Sequence, residues 1–223
     1  MTPDRIGFLK TAIVVNAAVP AALIAWDAIT GNLGANPVEL VLRSTGIMAL
    51  LFLALSLAVT PVRQLFGLGW LTRLRRHLGL ASFAYAAVHV SIYLTLDQSG
   101  NVLAILQDAV TRPFITLGML AFGLMVPLAW TSTNAAIRRL GKRWAQIHKR
   151  VYVVAVFAVA HYWLEVKADT TRPMIFVAIF GVLLFYRFVN RKVGASALPP
   201  REDQAETVEA PELQGAATTD YGR

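Results

Sequence analysis

Four histidines stand out among the side chains that could do chemistry: His77, His89, His148 and His161. The chain has no cysteine. That excludes disulfides, iron–sulfur clusters, thiolate-bound zinc and cysteine nucleophiles. His89 stands in the run YAAVHVSIYL, residues 85–94, with no charged neighbour inside it. An imidazole in such a run costs free energy unless something satisfies it. It can hydrogen-bond to a neighbouring helix, or it can ligate a metal.

The elements that must position these histidines are apolar. Six stretches stand out, at about 11–26, 44–60, 78–96, 113–130, 151–164 and 173–186. The chain is 56% hydrophobic and only 15% charged, whereas soluble domains carry about 25% charged residues. The pattern predicts an all-α integral membrane protein with a six-transmembrane-helix bundle over residues 1–192. The fifth stretch is shorter than the roughly 20 residues a span needs. Tyr152, Tyr162 and Trp163 can sit in the interface there, and Lys149 and Arg150 can snorkel. No short hydrophobic run followed by a small-residue cleavage site opens the chain, so no removable signal peptide is expected.

Charge sets the expected orientation. Arg5 and Lys10 precede the first stretch. Arg63, Arg73, Arg75 and Arg76 lie between the second and third. Arg138, Arg139, Lys142, Arg143, Lys149 and Arg150 lie between the fourth and fifth, and Arg187, Arg191 and Lys192 follow the sixth. The alternate loops hold few cations beside several carboxylates, so both termini are expected in the cytoplasm. The net charge of +8 is then a topology signal and a surface for membrane lipid or an electron donor. No soluble basic domain exists to carry nucleic acid. Residues 193–223 are rich in Ala, Pro, Glu and Thr, lack apolar periodicity, and are expected to form a disordered cytoplasmic tail. No internal repeat is evident.

On this topology the third and fifth helices run parallel, and depth can be compared directly. His89 lies roughly 16 Å and His161 roughly 15 Å from the inner edge at helical rise. His77 and His148 match again at the inner edge. Paired neutral imidazoles in a bundle core suit a six-coordinate heme iron, which has no open position for oxygen and passes electrons. Zinc would need three or four ligands at one level, and no carboxylate stands there. A His2Cys copper site is impossible without cysteine. The inner tier is weaker, because 12 and 13 residues on an ideal helix leave His77 and His148 off the faces of His89 and His161. Arg75, Arg76, Lys149 and Arg150 can pair with heme propionates or a flavin phosphate, or can simply anchor the positive side. Asn16 and Pro20 predict a kink or an interhelical hydrogen bond in the first helix, and Pro127 a bend in the fourth. Trp26, Trp130 and Trp163 suit an aromatic belt. Gly118 and Gly123 allow close packing or room for a flat cofactor. No P-loop, Rossmann fingerprint or Ser/His/Asp arrangement occurs. A transporter that uses the histidines as proton relays is the non-redox alternative.

The segments LTRLRRHLGLASFAYAAVHVSIYL and RLGKRWAQIHKRVYVVAVFAVAHYWLEVK closely resemble the MsrQ family, within the ferric-reductase-like transmembrane group. The resemblance covers about residues 5–192. It implies a b-type cytochrome of the bacterial inner membrane, an electron-transfer subunit whose substrate is reduced on a partner. The donor would be the quinone pool or a cytosolic flavin reductase. The acceptor would be a periplasmic molybdopterin protein, MsrP, that reduces methionine sulfoxide in oxidised proteins. One or two hemes b are implied, and FMN binding as well. His89 and His161 match the outer heme ligands, and His148 an inner heme or flavin site. Arg75 matches a family arginine near that inner site, with Arg76 and His77 beside it. His77 falls where the family does not require histidine. The other reading is a generic ferric-reductase-like cytochrome with another acceptor. That reading would normally bring a fused FAD/NADPH domain, which this sequence does not contain.

Overall fold

A computed structural model describes residues 3–166 and 170–196. All regular structure among them is helical: α1 (Pro3–Thr30), α2 (Pro37–Phe66), α3 (Arg75–Ile92), α4 (Val102–Thr111), α5 (Pro113–Trp130), α6 (Asn134–Leu140), α7 (Lys142–His148), α8 (Val151–Glu165) and α9 (Thr171–Ser196). A 3-10 turn, Gly69–Arg73, leads into α3, and a π turn, Tyr93–Asp97, ends it. The first compact unit is Met1–Arg187, and the second is Phe188–Arg223, described only through the end of α9. That helix extends to Ser196, past the expected boundary at residue 192. The remainder of the expected tail lies outside the described residues.

Five helices are long and apolar enough to cross a membrane: α1, α2, α3 with its flanking turns, α5 and the part of α9 up to Asn190. The chain is therefore a multi-pass membrane protein. The expected sixth span is α8, which has only 15 residues. Local sequence explains the breaks. Asn36 caps α2 by accepting from Glu39 N–H at 3.3 Å and donating to its carboxylate at 2.8 Å, which is a reciprocal cap. Pro37 and Pro113 open α2 and α5 where no N–H is needed. Gly67 ends α2 in the left-handed region, φ 67°. Asn101 caps α4, a helix the apolar runs did not foretell.

The core is built from α2, α5, α8 and α9. Leu50, Leu53 and Leu57 meet Met125, Val151, Val154, Ala155, Tyr162 and Phe180. α2 packs along α3, α5 packs along α8, and α3 joins the two pairs through α5. Ser82 Oγ donates to Ala49 C=O at 2.8 Å, so the buried hydroxyl ties α3 to α2.

α1 stands apart. It exposes Val14, Val15, Leu23 and Trp26, the surface that a lipid-facing helix presents. Among the described residues one side chain hydrogen-bonds it to the bundle. The Tyr85 hydroxyl donates to Ala17 C=O at 2.6 Å and accepts from Ala21 N–H at 3.2 Å. It thereby joins the helix ladder at the turn that Pro20 weakens. Tyr85 itself is stacked on Phe52, with ring centroids 5.6 Å apart. Among the described residues Asn16 makes no interhelical bond; it donates to Ala12 C=O of its own helix at 2.8 Å. α5 runs through Pro127 and stops at Trp130. Trp26 and Trp130 are well exposed and Trp163 less so, at helix ends or near them, as a belt requires.

Tyr85→Phe keeps the stacking and removes the tie. Its expected cost is about 0.6 kcal/mol, the average for a polar contact between membrane helices. Reversible unfolding in detergent measures it, and unchanged stability would show that α1 is held by packing alone.

Candidate functional site

The structure brings His89 and His161 together. Their ring centroids are 6.2 Å apart, with the planes at 83°. Metal–imidazole bonds of about 2 Å on opposite sides of one ion give a centroid separation of about 6 Å. The depth match counted along the helices is thus a spatial meeting.

Each ring is set by two features of the helix beside it. His89 Nδ1 lies 2.9 Å from Leu42 C=O on α2, and His161 Nδ1 lies 2.6 Å from Phe114 C=O on α5. A carbonyl can only accept, so Nδ1 carries the proton in both. In the neutral imidazole Nε2 then carries the lone pair that binds metal. No hydrogen bond reaches either Nε2 among the described residues. One turn past each carbonyl stands a glycine. A Cβ on Gly46 would come within 3.2 Å of His89 Nδ1 and Cε1, and a Cβ on Gly118 within 2.8 Å of His161 Nδ1. The glycines let each imidazole reach the helix backbone. Gly118 was expected to make room, and it does so for a side chain; a Cβ on Gly123 would meet nothing within 4 Å.

The two halves of the site repeat each other. The carbonyl and its histidine are 47 residues apart in both. The α2–α3 pair and the α5–α8 pair therefore share one register, which corrects the expectation of no internal repeat. Few identical residues mark it: Gly46 and Gly118, Ala49 and Ala121, Ala86 and Ala158, His89 and His161.

Both histidines line one cavity of about 660 Å³ between the two helix pairs. That size suits a cofactor-class ligand. Among the described residues no three His, Cys, Asp or Glu side chains cluster as metal ligands. The arrangement thus offers two neutral imidazole ligands and a cavity around them, which fits a bis-histidine heme and not a protein-only zinc cage.

The inner tier separates. His77 lines a different groove of about 710 Å³ among α1, α2 and α3, and its Nδ1 is buried without a hydrogen bond. Arg76 donates to Asn134 Oδ1 at 2.7 Å. His148 stacks on Trp144 at 3.9 Å and donates from Nδ1 to Trp144 C=O at 3.1 Å. Ser132 Oγ lies 3.5 Å from His148 Nε2, but its proton goes to Leu128 C=O at 2.6 Å. The Leu128 carbonyl also faces the His148 ring and favours its protonated form. Burial holds the His148 imidazole below its ordinary pKa, and the nearby Arg75 charge lowers it further. No contact joins His77 to His148 among the described residues. Sequence reasoning missed Arg187, which donates to Thr60 Oγ1, lies 5.0 Å over the Tyr152 ring, and feels the charge of Arg75. It also missed Gly46, for which the signal was its register with Gly118.

Comparison with known proteins identifies relatives of the chain. Residues 45–159 match the family described as ferric reductase like transmembrane component; His89 and His148 lie inside the match and His161 just beyond it. The chain is 46% identical over 192 residues to the protein-methionine-sulfoxide reductase heme-binding subunit MsrQ of Azospira oryzae, covering 85% of this chain and 82% of the relative. It is 44% identical to that of Herminiimonas arsenicoxydans, covering 83% and 87%. It is 46% identical to that of Brucella anthropi, covering 77% and 78%.

Glycine replacements rank by what the new Cβ meets. Gly118→Ala is expected to cost about 1–3 kcal/mol through overpacking against His161. Gly46→Ala should cost less. Gly123→Ala should be neutral or stabilising, because alanine favours a helix by up to about 1 kcal/mol. Detergent unfolding of the three variants checks the order; equal effects would mean that the imidazoles do not need the glycines.

Proposed function

The chain belongs to the MsrQ family of ferric-reductase-like membrane proteins, and on that premise we propose that it carries electrons across the bacterial inner membrane to a reductase of oxidised protein methionine. The observation that carries the reading is the facing pair His89 and His161, each with Nδ1 fixed on a backbone carbonyl and Nε2 free. In this reading the pair holds a heme b in the 660 Å³ cavity. A bis-histidine heme supplies reversible one-electron storage with no open position for oxygen. The Nδ1 bonds raise ligand basicity and keep both rings in one orientation through a change of iron charge. The inner walls of the cavity, Leu50, Leu53, Ala86, Phe122 and Met125, are apolar.

The rest of the path is the same proposal. Both termini face the cytoplasm, as the basic loops indicate. Electrons enter from the quinone pool or from a cytosolic flavin reductase. They leave to a periplasmic molybdopterin partner, MsrP. There two electrons and two protons convert a sulfoxide to a thioether and water, so the membrane subunit passes electrons singly, twice per substrate. The short loops beside the His89–His161 mouth, α4 included, hold no catalytic domain, which supports reduction on a partner. His148, within reach of the Arg75 charge, serves an inner heme or FMN. Arg76 is engaged by Asn134 and His77 lines the α1 groove, so neither is given a ligand role in this reading.

His89→Ala and His161→Ala are each expected to remove the outer low-spin heme. His148→Ala should leave it in place and diminish any second heme or flavin. Reduced-minus-oxidised spectra, a pyridine hemochrome count and flavin extraction on purified protein read all three. Wild-type heme content and a low-spin spectrum in both outer variants would sink the assignment.

A further inference from the structure

The cavity around His89 and His161 is polar at one end only. Toward the α2 C-terminus its walls are Leu50, Leu53, Ala86, Phe122 and Met125, and the one hydroxyl there, Ser82, is spent on Ala49 C=O. Toward the α2 and α5 N-termini its rim carries Arg43, Arg112, Glu39, Asp97 and Glu165. Among the described residues Arg43 and Arg112 are the only Lys or Arg residues lining it. Arg43 stands one turn before Gly46, which faces His89. Arg112 is the residue before α5 and two before Phe114, whose carbonyl holds His161. Each cation thus sits on the stretch of backbone that orients one histidine.

We propose that Arg43 and Arg112 bind the two carboxylates of the heme held by His89 and His161, so that the carboxylate edge faces the mouth formed by the starts of α2 and α5. The inference rests on the heme reading above. Carboxylates pushed toward Leu53 and Met125 would be buried without partners, which is strongly unfavourable. At the mouth they meet guanidinium forks, whose planar donors match a carboxylate two at a time. Both arginines are pre-positioned by helical partners. Arg43 Nη2 lies 3.2 Å from Glu39, and Arg112 Nε lies 3.3 Å from Asp108. Their side chains stay 49% and 57% exposed, so further N–H donors are free. The three rim carboxylates would repel the heme edge if the arginines were absent. The orientation also puts the heme's carboxylate edge at the mouth, the face from which a partner would draw electrons.

The midpoint potential of the His89–His161 heme tests this in the purified full chain. Arg43→Gln and Arg112→Gln should each lower it, because removing a nearby positive charge disfavours the reduced heme. The expected change is about tenfold in the oxidised–reduced equilibrium, or ~59 mV for one electron. Glu39→Gln should raise it. Arg43→Lys should restore most of the loss. Arg138→Gln, in α6 and outside the cavity lining, should leave it unchanged. If the double arginine variant loses heme while remaining helical, that loss supports the proposal, and Glu39→Gln still reports the sign. Wild-type potentials in all the arginine and Glu39 variants would overturn it, as would an equal shift in Arg138→Gln. Those results leave the heme reading standing whenever His89→Ala loses the heme.

Discussion

The site depends on two hydrogen bonds from imidazole to helix backbone. Leu42 C=O and Phe114 C=O lie inside their helices, where each already serves the N–H four residues on. A carbonyl has a second lone pair, but the side chain at the fourth residue normally crowds it. Gly46 and Gly118 remove that obstruction. The imidazole then reaches the carbonyl, its tautomer is fixed, and the opposite nitrogen faces the cavity with its lone pair free. A Cβ at Gly118 would come too close to the His161 ring for either to stay in place, while one at Gly46 would press on the His89 ring more mildly.

From this constraint the packing follows. α3 must lie close along α2, and α8 close along α5, because a short side chain spans each gap. The two pairs then meet through α3 and α5, with the histidines where they face. Ser82 and Tyr85 extend the same logic along α3. Each polar group is spent on the backbone of a neighbouring helix, α2 in one case and α1 in the other. Backbone carbonyls are the acceptors a water-poor bundle can always offer.

His89 and His161 were legible in the sequence because an ionisable residue in an apolar run is costly, and because helical rise converts sequence position into depth. The fourth apolar stretch coincides with α5, Pro113–Trp130, whereas α2 begins at Pro37, well before the stretch expected from residue 44. Gly46 was not legible, since what a glycine permits depends on what stands opposite it. The repeat was hidden for the same reason: it lives in the register of carbonyl, glycine and histidine, while most of the lipid-facing and core residues between them differ freely among apolar types. The inner tier defeated counting along one helix. α7 ends at His148 and α8 begins at Val151, so the helical phase does not carry from His148 to His161. Likewise three neighbours diverge where the 3-10 turn enters α3: Arg75 toward His148, Arg76 to Asn134, and His77 into the α1 groove. α4 was overlooked although Asn101 signals a cap, because it is too short to register as an apolar span.

The two ends of the bundle differ in their electrostatics, and the difference bears on direction. At the mouth near His89 and His161 the cations Arg43 and Arg112 each have a carboxylate partner within their own helical turn. At the other end Arg75 and Arg187 feel each other's charge, and among the described residues neither forms an ion pair. Arg187 relies on Thr60 and the face of Tyr152 instead. Two like charges held together in a partly buried place are costly without an anion nearby. The helix packing keeps them there, since Arg187 is fixed by its own contacts and Arg75 by the Ser56 bond to its carbonyl. A net positive end favours the reduced state of any group beside it and holds anionic groups of a donor or cofactor. The mouth carries Glu39, Asp97 and Glu165 beside its two arginines and adds no such positive bias. In the proposed relay the attractive, basic end is then the one at which electrons would enter.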